Sequence, residues 1–367
     1  MNKIKFNDLY REFTVVKKKI FKDLNKVFNH SEYILGSNLL NLEKKISRFF
    51  DINYCVGVNS GTDALILILK SLNIGYGDEV IVPAHTYAST AFACSIVGAR
   101  PVFVDINFDD FNINIIDTKK KITKQTKAII AVHIYGQMSD VKILKNICRE
   151  YRIFLIEDAA QAHGAKLHNK NVGYYSDAAA LSFYPGKNLG AYGDAGAVIT
   201  NNKFIFNKVQ ILRNIGSKKK YIHNEIGINS RLDEIQAVIL INKLKLLKKN
   251  NFKRNLISKF YNMQINNKYV LTPRNQDNRY HVYHLYVLRL LKNTRSRFIK
   301  YMNRNKVETI IHYPILIANQ KPYKSNQKFP IADAIVGQIV SIPCYPYLKK
   351  NELIKIVKVI NNFKYND

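Results

Sequence analysis

The 367-residue chain has only four cysteines, and no two of them form a Cys-x-x-Cys pair. Cys55, Cys94, Cys148 and Cys344 are far apart, which argues against a zinc or dithiol motif and leaves the expectation of buried, reduced thiols in a cytoplasmic protein. Long hydrophobic runs are missing too. Nothing approaches the roughly 18 consecutive apolar residues that span a bilayer, so no membrane association is expected. The opening MNKIKFNDLYREFTVVKKKI is charged throughout and lacks the apolar stretch of a signal peptide. Acidic residues are scarce, 27 against 57 basic ones, for a net charge of +30. Such a charge first suggests nucleic acid. The excess is mostly Lys, however, rises together with Asn and Ile as in AT-rich genomes, and is spread along the chain. No nucleic-acid partner is expected, whereas a small anionic substrate would be drawn to a basic cleft.

The length suits one large domain plus a smaller one. From about Val56 to Asn201, short apolar runs alternate with amphipathic stretches. GDEVIVPAH, ARPVFVDI, KAIIAVHIYG, IFLIEDAA, AAALSFYPG and GAVITN read as strands buried on both faces. TDALILILKSLNI and DVKILKNICREY carry apolar residues at three- and four-residue spacing and read as helices. The alternation predicts an α/β domain with a mostly parallel sheet, whose ligand lies beyond the carboxyl ends of the strands. After Arg231 a long helical stretch begins. A boundary is placed near Lys249, dividing the chain into a large domain, 1–249, and a small α+β domain, 250–367, that includes the strand YHVYHLYVLRLL and a last helix, ELIKIVKVINNFK.

Three segments carry chemistry. In SDAAALSFYPGKNLGAYGDAGAVIT, Lys187 follows Pro185-Gly186 between two apolar runs. A partly desolvated amine loses its proton readily, as imine formation with pyridoxal phosphate (PLP) requires; a structural lysine in a Gly-rich turn is the alternative. In IFLIEDAAQAHGA, a buried strand ends in Glu157-Asp158. Buried acids need partners, and a protonated pyridine nitrogen is one; capping of the next helix is another. In GVNSGTDALILIL, a strand ends at Ser60-Gly61-Thr62 before an amphipathic helix, an arrangement that suits either a phosphate or an ordinary cap. His133, in IIAVHIYG, reads as a buried, hydrogen-bonded side chain, and His163 as a neighbour of Gln161 behind the site. His281 and His284 have no accompanying carboxylate or cysteine, so no metal is expected.

The order phosphate cup, aspartate, lysine, with the motifs NSGTDAL, VPAHTYAST, EDAAQAHGA, SFYPGKNLGAYGDAGAV and NSRLDEIQA, resembles the sugar-nucleotide aminotransferases of the DegT/DnrJ/EryC1/StrS family. The resemblance extends from YILGSNLLNLEKKISRFF to HYPILIANQKPY. It implies a fold-type I aminotransferase with PLP as cofactor. By that resemblance Lys187 is the Schiff-base lysine, Asp158 the pyridine-nitrogen partner and Gln161 the contact to the 3′ oxygen of the ring. Tyr87 stacks on the ring, and Gly61, Thr62 and Ser182 hold the phosphate. Asn229 reaches the phosphate from the other subunit of a homodimer.

The EDAAQAHGA form is similar to the subgroup acting at C3 of sugars or on cyclitols, whereas C4 enzymes more often carry histidine at the Gln161 position. The sequence around Lys187 further resembles enzymes that aminate dTDP-3-keto-6-deoxyhexoses with L-glutamate, giving 3-amino-3,6-dideoxy sugars for surface glycans such as lipopolysaccharide. Tyr184, His312 and Tyr313 are the implied substrate contacts. The family loop HYPIPxHxQ reads HYPILIANQ here, with Leu316 and Ala318 at the positions of the proline and the histidine. Amination at C4 of a 4-keto sugar, and a non-catalytic regulator that binds PLP or a sugar nucleotide, are the alternatives. Lys187 argues against a C3 dehydratase, which carries histidine there.

Overall fold

The computed structural model describes residues 3–324 and 327–364; the outermost residues of the two expected domains, 1–2 and 365–367, lie outside this range. Seven strands form the central sheet: β1 Tyr54–Val58, β2 Glu79–Pro83, β3 Arg100–Val104, β4 Thr126–Val132, β5 Phe154–Asp158, β6 Ala178–Ser182 and β7 Gly196–Thr200. Their spatial order is β1-β7-β6-β5-β4-β2-β3. The β2–β3, β2–β4, β4–β5 and β5–β6 pairs are parallel, while β7 runs antiparallel to both of its neighbours. The strands are short, β-branched-rich and almost entirely buried, because helices cover both faces.

This topology gathers six carboxyl-terminal strand ends at one edge. Val58, Gly196 and Ser182 stand in register across β1, β7 and β6, and Val132 lies opposite Asp158 across β4 and β5. A strand antiparallel to two neighbours leaves those neighbours pointing the same way. The loop after β1 therefore opens on the same side as the loops after β4, β5 and β6.

Helices α1 Leu9–His30 and α2 Ser37–Phe50 precede the sheet; α3 Gly61–Ser71, α4 Ala88–Ile96 and α5 Val141–Tyr151 connect its strands. The buried Glu234 carboxylate accepts from the Gly36, Asn38 and Leu39 amides, each at 2.9 Å, at the start of α2. An acid at a helix N-terminus complements the free N–H groups and the macrodipole there.

Glu234 also opens α6, Glu234–Gln264, a helix of 31 residues. The boundary expected near Lys249 falls inside it, and the helix is unbroken there. Leu240 and Leu247 pack into the core beneath the central sheet; Ile257 and Tyr261 pack into a second core. That second core is built on a three-stranded antiparallel sheet of Val270–Leu271, Tyr286–Leu290 and Ile339–Ile342, in that order. Neither core follows the chain strictly. Ile4 belongs to the second core, while Leu316–Ala318 and Phe329 return to the first. Apolar periodicity marks where a helix runs but not which body each of its turns packs against.

Candidate active site

A cavity of about 600 Å³ opens at the carboxyl edge of the central sheet, and ten of the residues singled out from the sequence line it. Gly61 and Thr62 line it beside Ser182, with Asp158, Gln161 and Lys187; Tyr87, Tyr184, His312 and Tyr313 complete the wall. Asn229 does not line the cavity of its own protomer. It is exposed and forms an antiparallel bridge with Asn214.

Gly61 and Thr62 open α3. Ser60 caps the helix, its side chain accepting from the Asp63 amide at 3.0 Å. The first amides of a helix have no intrahelical acceptor, so they are free to bind an anion. A Cβ on Gly61 would sit 2.6 Å from the Ser182 Cβ, so glycine is what allows the helix start to close on β6. The Thr62 hydroxyl pairs with that of Ser89 at 2.7 Å.

Asp158 ends β5 with both oxygens engaged. Thr90 Oγ1 donates to one at 2.8 Å and the Ala160 amide to the other at 3.2 Å. Gln161 accepts from the Tyr135 amide at 2.6 Å and donates to the Tyr313 hydroxyl at 3.0 Å. Tyr135 in turn bonds His85 at 2.7 Å and the His312 carbonyl, so a buried polar chain joins the large domain to the 312–313 segment. The Tyr313 ring also lies 5.6 Å from that of Tyr87.

Lys187 sits on a tight turn. Its amide donates to the Tyr184 carbonyl at 2.8 Å, and Gly190 is forced because a Cβ there would lie 2.3 Å from the Pro185 carbonyl oxygen. The neighbouring Asn188 anchors the turn, donating to Asn251 on α6 at 2.9 Å and to the Val282 carbonyl at 3.0 Å. Burial lowers the Lys187 amine from 10.5 to about 8, partly opposed by the Asp158 charge. The neutral, nucleophilic form is therefore within reach near neutral pH.

These residues fit PLP. The cavity supplies an anion cup, a buried carboxylate, a depressed lysine and an exposed tyrosine. The expected basic cleft is not seen within one protomer. The cavity's Lys and Arg residues are Lys187 and Arg254, set against Asp158 and Asp194, so the chain's basic excess lies elsewhere.

Other residues were placed less directly by sequence. Leu316 and Ala318 are fully buried in the core rather than facing the cavity, so the HYPILIANQ departure alters packing there. His133 is buried; it accepts from the Ser139 amide through Nδ1 at 3.1 Å, and its Nε2 bonds Glu157 at 2.5 Å. His163 is buried with both ring nitrogens unpartnered, beside Phe183. His281 stacks on Tyr283 away from the cavity, whereas His284 lines it. Thr90 and Tyr135, which hold Asp158 and Gln161, were missed. Thr90 lies in the VPAHTYAST motif, four residues before Cys94, and only the folded chain brings it to Asp158.

A mixed sheet of this order, with a depressed lysine, an aspartate and a helix-start anion cup at its carboxyl edge, defines a fold-type I aminotransferase. The chain belongs to the DegT/DnrJ/EryC1/StrS aminotransferase family, which it matches over residues 15–361. It is 42% identical over 364 residues to the dTDP-3-amino-3,6-dideoxy-alpha-D-galactopyranose transaminase of Aneurinibacillus thermoaerophilus, covering 99% of this chain and 100% of the relative. It is 37% identical to a protein of Geobacillus stearothermophilus named a pleiotropic regulatory protein, over 97% of each chain. The crystal structure of S. venezuelae DesV in complex with a ketimine intermediate superposes with a TM-score of 0.95, at 33% identity over 98% of each chain.

Proposed function

We propose that this aminotransferase uses PLP, held by Lys187, to move an amino group from L-glutamate to C3 of a dTDP-3-keto-6-deoxyhexose, giving a 3-amino-3,6-dideoxy sugar nucleotide. The observation that carries the reading is the convergence of Lys187, Asp158 and Gln161 in one cavity, with the Gly61–Thr62 helix start in its wall. The name of the Aneurinibacillus relative supports C3 as the position aminated. Both Lys187 and Asp158 line the cavity, which favours catalysis over the regulatory role named for the Geobacillus relative.

Bound PLP supplies an electron sink that lets the donor's Cα–H ionise. This chain's residues do the rest. The Gly61 and Thr62 amides and the Ser182 hydroxyl hold the phosphate. Asp158, kept in place by Thr90 and Ala160, would pair with the ring nitrogen and keep it protonated. Gln161 would contact the ring oxygen, and Tyr87 would cover the ring. With PLP in place, the depressed amine of Lys187 would be the base and acid that moves protons in both half-reactions, at the donor's Cα first. The 312–313 segment borders the sugar, and its tie to Gln161 sets which carbon meets the amine.

The assembly is a homodimer, with Asn229 of each chain at the other's phosphate site. In support of this, Asn229 is exposed on the protomer, and Tyr221 and Ile226, which precede it in the chain, are 83% and 89% exposed. Tyr87 and Tyr184, in the cavity wall, are 58% and 60% exposed. No helix among the described residues is long and apolar enough to cross a membrane. The experiment is to incubate the enzyme with PLP, glutamate and either dTDP-3-keto- or dTDP-4-keto-6-deoxyhexose, and to locate the amine by NMR. Amination of the 4-keto sugar alone overturns the C3 assignment; amination of neither overturns the substrate class.

A further inference from the structure

The cavity wall also takes Ile342 and Cys344 from the second core and Arg254 from α6. Arg254 is 5% exposed. Its Nη1 donates to the carbonyls of Tyr283, at 3.1 Å, His284, at 3.4 Å, and Cys344. Its Nε is buried with no partner. Burial lowers its pKa, opposed by Cys344 and Glu12. Among the described residues no carboxylate lies within ion-pair distance of the guanidinium. The nearby acids are already engaged, Asp8 with Arg11 at 3.3 Å and Glu12 with Lys243 at 2.6 Å. A buried guanidinium that keeps its charge without a counter-ion is costly, and three backbone carbonyls use only one of its nitrogens.

We propose that Arg254 is the anchor for a carboxylate of the amino donor. This rests on the aminotransferase reading above. The chemistry it recognises is an oxyanion, which either substrate could offer: the donor a carboxylate, the sugar nucleotide a diphosphate. Place decides between them. Arg254 and Lys187 line the main cavity together and also share the small cleft behind it, so the oxyanion lies close to the reacting amine. A short amino acid, whose carboxylate is bonded to the reacting carbon or a few bonds from it, spans that distance. A diphosphate is separated from C3 by the sugar ring, and a nucleotide needs the exposed part of the wall, at Tyr87 and Tyr184, rather than the buried part, at Arg254. The planar fork of Arg also suits a carboxylate better than a lysine would.

The test uses PLP-loaded enzyme and compares wild type with Arg254→Lys and Arg254→Gln. The two half-reactions are followed separately, glutamate with the PLP form and the keto sugar nucleotide with the aminated form. The unreactive dicarboxylate glutarate provides a binding readout through its effect on the melting temperature. Arg254→Gln is expected to raise the glutamate concentration for half-maximal rate at least tenfold, to leave that for the sugar nucleotide within twofold, and to abolish the glutarate shift. Arg254→Lys should fold as the wild type does and fall between. Equal losses in both half-reactions, a loss confined to the sugar nucleotide, or unchanged glutamate and glutarate behaviour would each overturn the anchor. If the wild type fails to accept glutamate, the donor in the functional reading is wrong, and the dependence of the glutarate shift on Arg254 still decides the anchor.

Discussion

The Gln161 side-chain amide donates to the Tyr313 hydroxyl across 3.0 Å, joining residues 152 positions apart in the chain. The same Gln161 accepts from the Tyr135 amide, so its side chain is oriented from two sides. A residue just past the end of β5 is thereby coupled to the 312–313 segment of the cavity wall. Tyr313→Phe removes the acceptor and leaves a buried donor unpaired, at a cost of about 1–3 kcal/mol. The expected result is a raised KM for the keto sugar with little change for glutamate. A Tyr313→Phe enzyme with unaltered sugar kinetics would show that the contact has no role in substrate placement.

Lys187→Ala should eliminate covalent loading with PLP and lower turnover by on the order of 10²–10⁴ or more, since no other group takes over the proton transfers. Spectra of the purified protein and single-turnover rates with glutamate check both. Near-normal turnover without Lys187 is incompatible with the mechanism.

The depressed amine makes a separate prediction for the apo-protein. With Lys187 lowered to about 8, its neutral fraction increases as pH rises toward that value and is nearly complete above it. The rate of covalent loading with PLP should therefore increase roughly tenfold per pH unit below 8 and level off above it. A rise continuing toward 10.5, the ordinary lysine value, would mean that the site does not desolvate the amine.

Asp158→Asn keeps the shape of the side chain but not its charge. The amide can accept from either Thr90 or Ala160 but cannot accept from both through equivalent oxygens. Activity should fall by on the order of 10²–10³, the scale of one lost electrostatic contact at a reacting centre, with the far-UV circular dichroism spectrum unchanged. Normal kinetics would make the acid structural.

Four histidines predict acid sensitivity. Burial lowers His163 and His281 from 6.5 to about 3, and His85 and His312 to about 4; the charge of Lys187 adds to the effect at His163 and His312. Below about 6.5 the unfolded chain binds protons that the folded chain refuses, so stability is lost as pH falls through the window from 6.5 to about 3. Calorimetry between pH values of about 7 and 4.5 should show a steadily declining Tm. A flat profile would require these rings to be protonated in the folded state.

The homodimer is testable by mixing. Asn229→Ala and Lys187→Ala chains are each impaired alone. If Asn229 serves the partner's site, a mixed dimer contains one site with both residues intact. Unfolding and refolding an equal mixture should then recover roughly a quarter of the wild-type sites. Absence of any recovery, or an active monomer in sedimentation, rejects the shared site.

The sequence by itself determined most of the elements and marked residues that come to line one cavity. Periodicity distinguished strands from helices between Val56 and Asn201, because a strand buried on both faces is apolar at nearly every position and a surface helix is not. Lys187, Asp158 and the Ser60-Gly61-Thr62 turn were legible because each lies in a local motif at the end of an apolar run. Only the tertiary structure decided the rest. The antiparallel placement of β7 depends on hydrogen-bond pairing between distant strands, which hydropathy does not record. The unbroken helix across Lys249 serves two cores, and an apolar stripe does not name its partner. Arg254 reads in the sequence as one more cation among 57, and only its burial without a counter-ion in the cavity wall sets it apart. A charge acquires its meaning from its surroundings, and those surroundings are assembled from residues hundreds of positions apart.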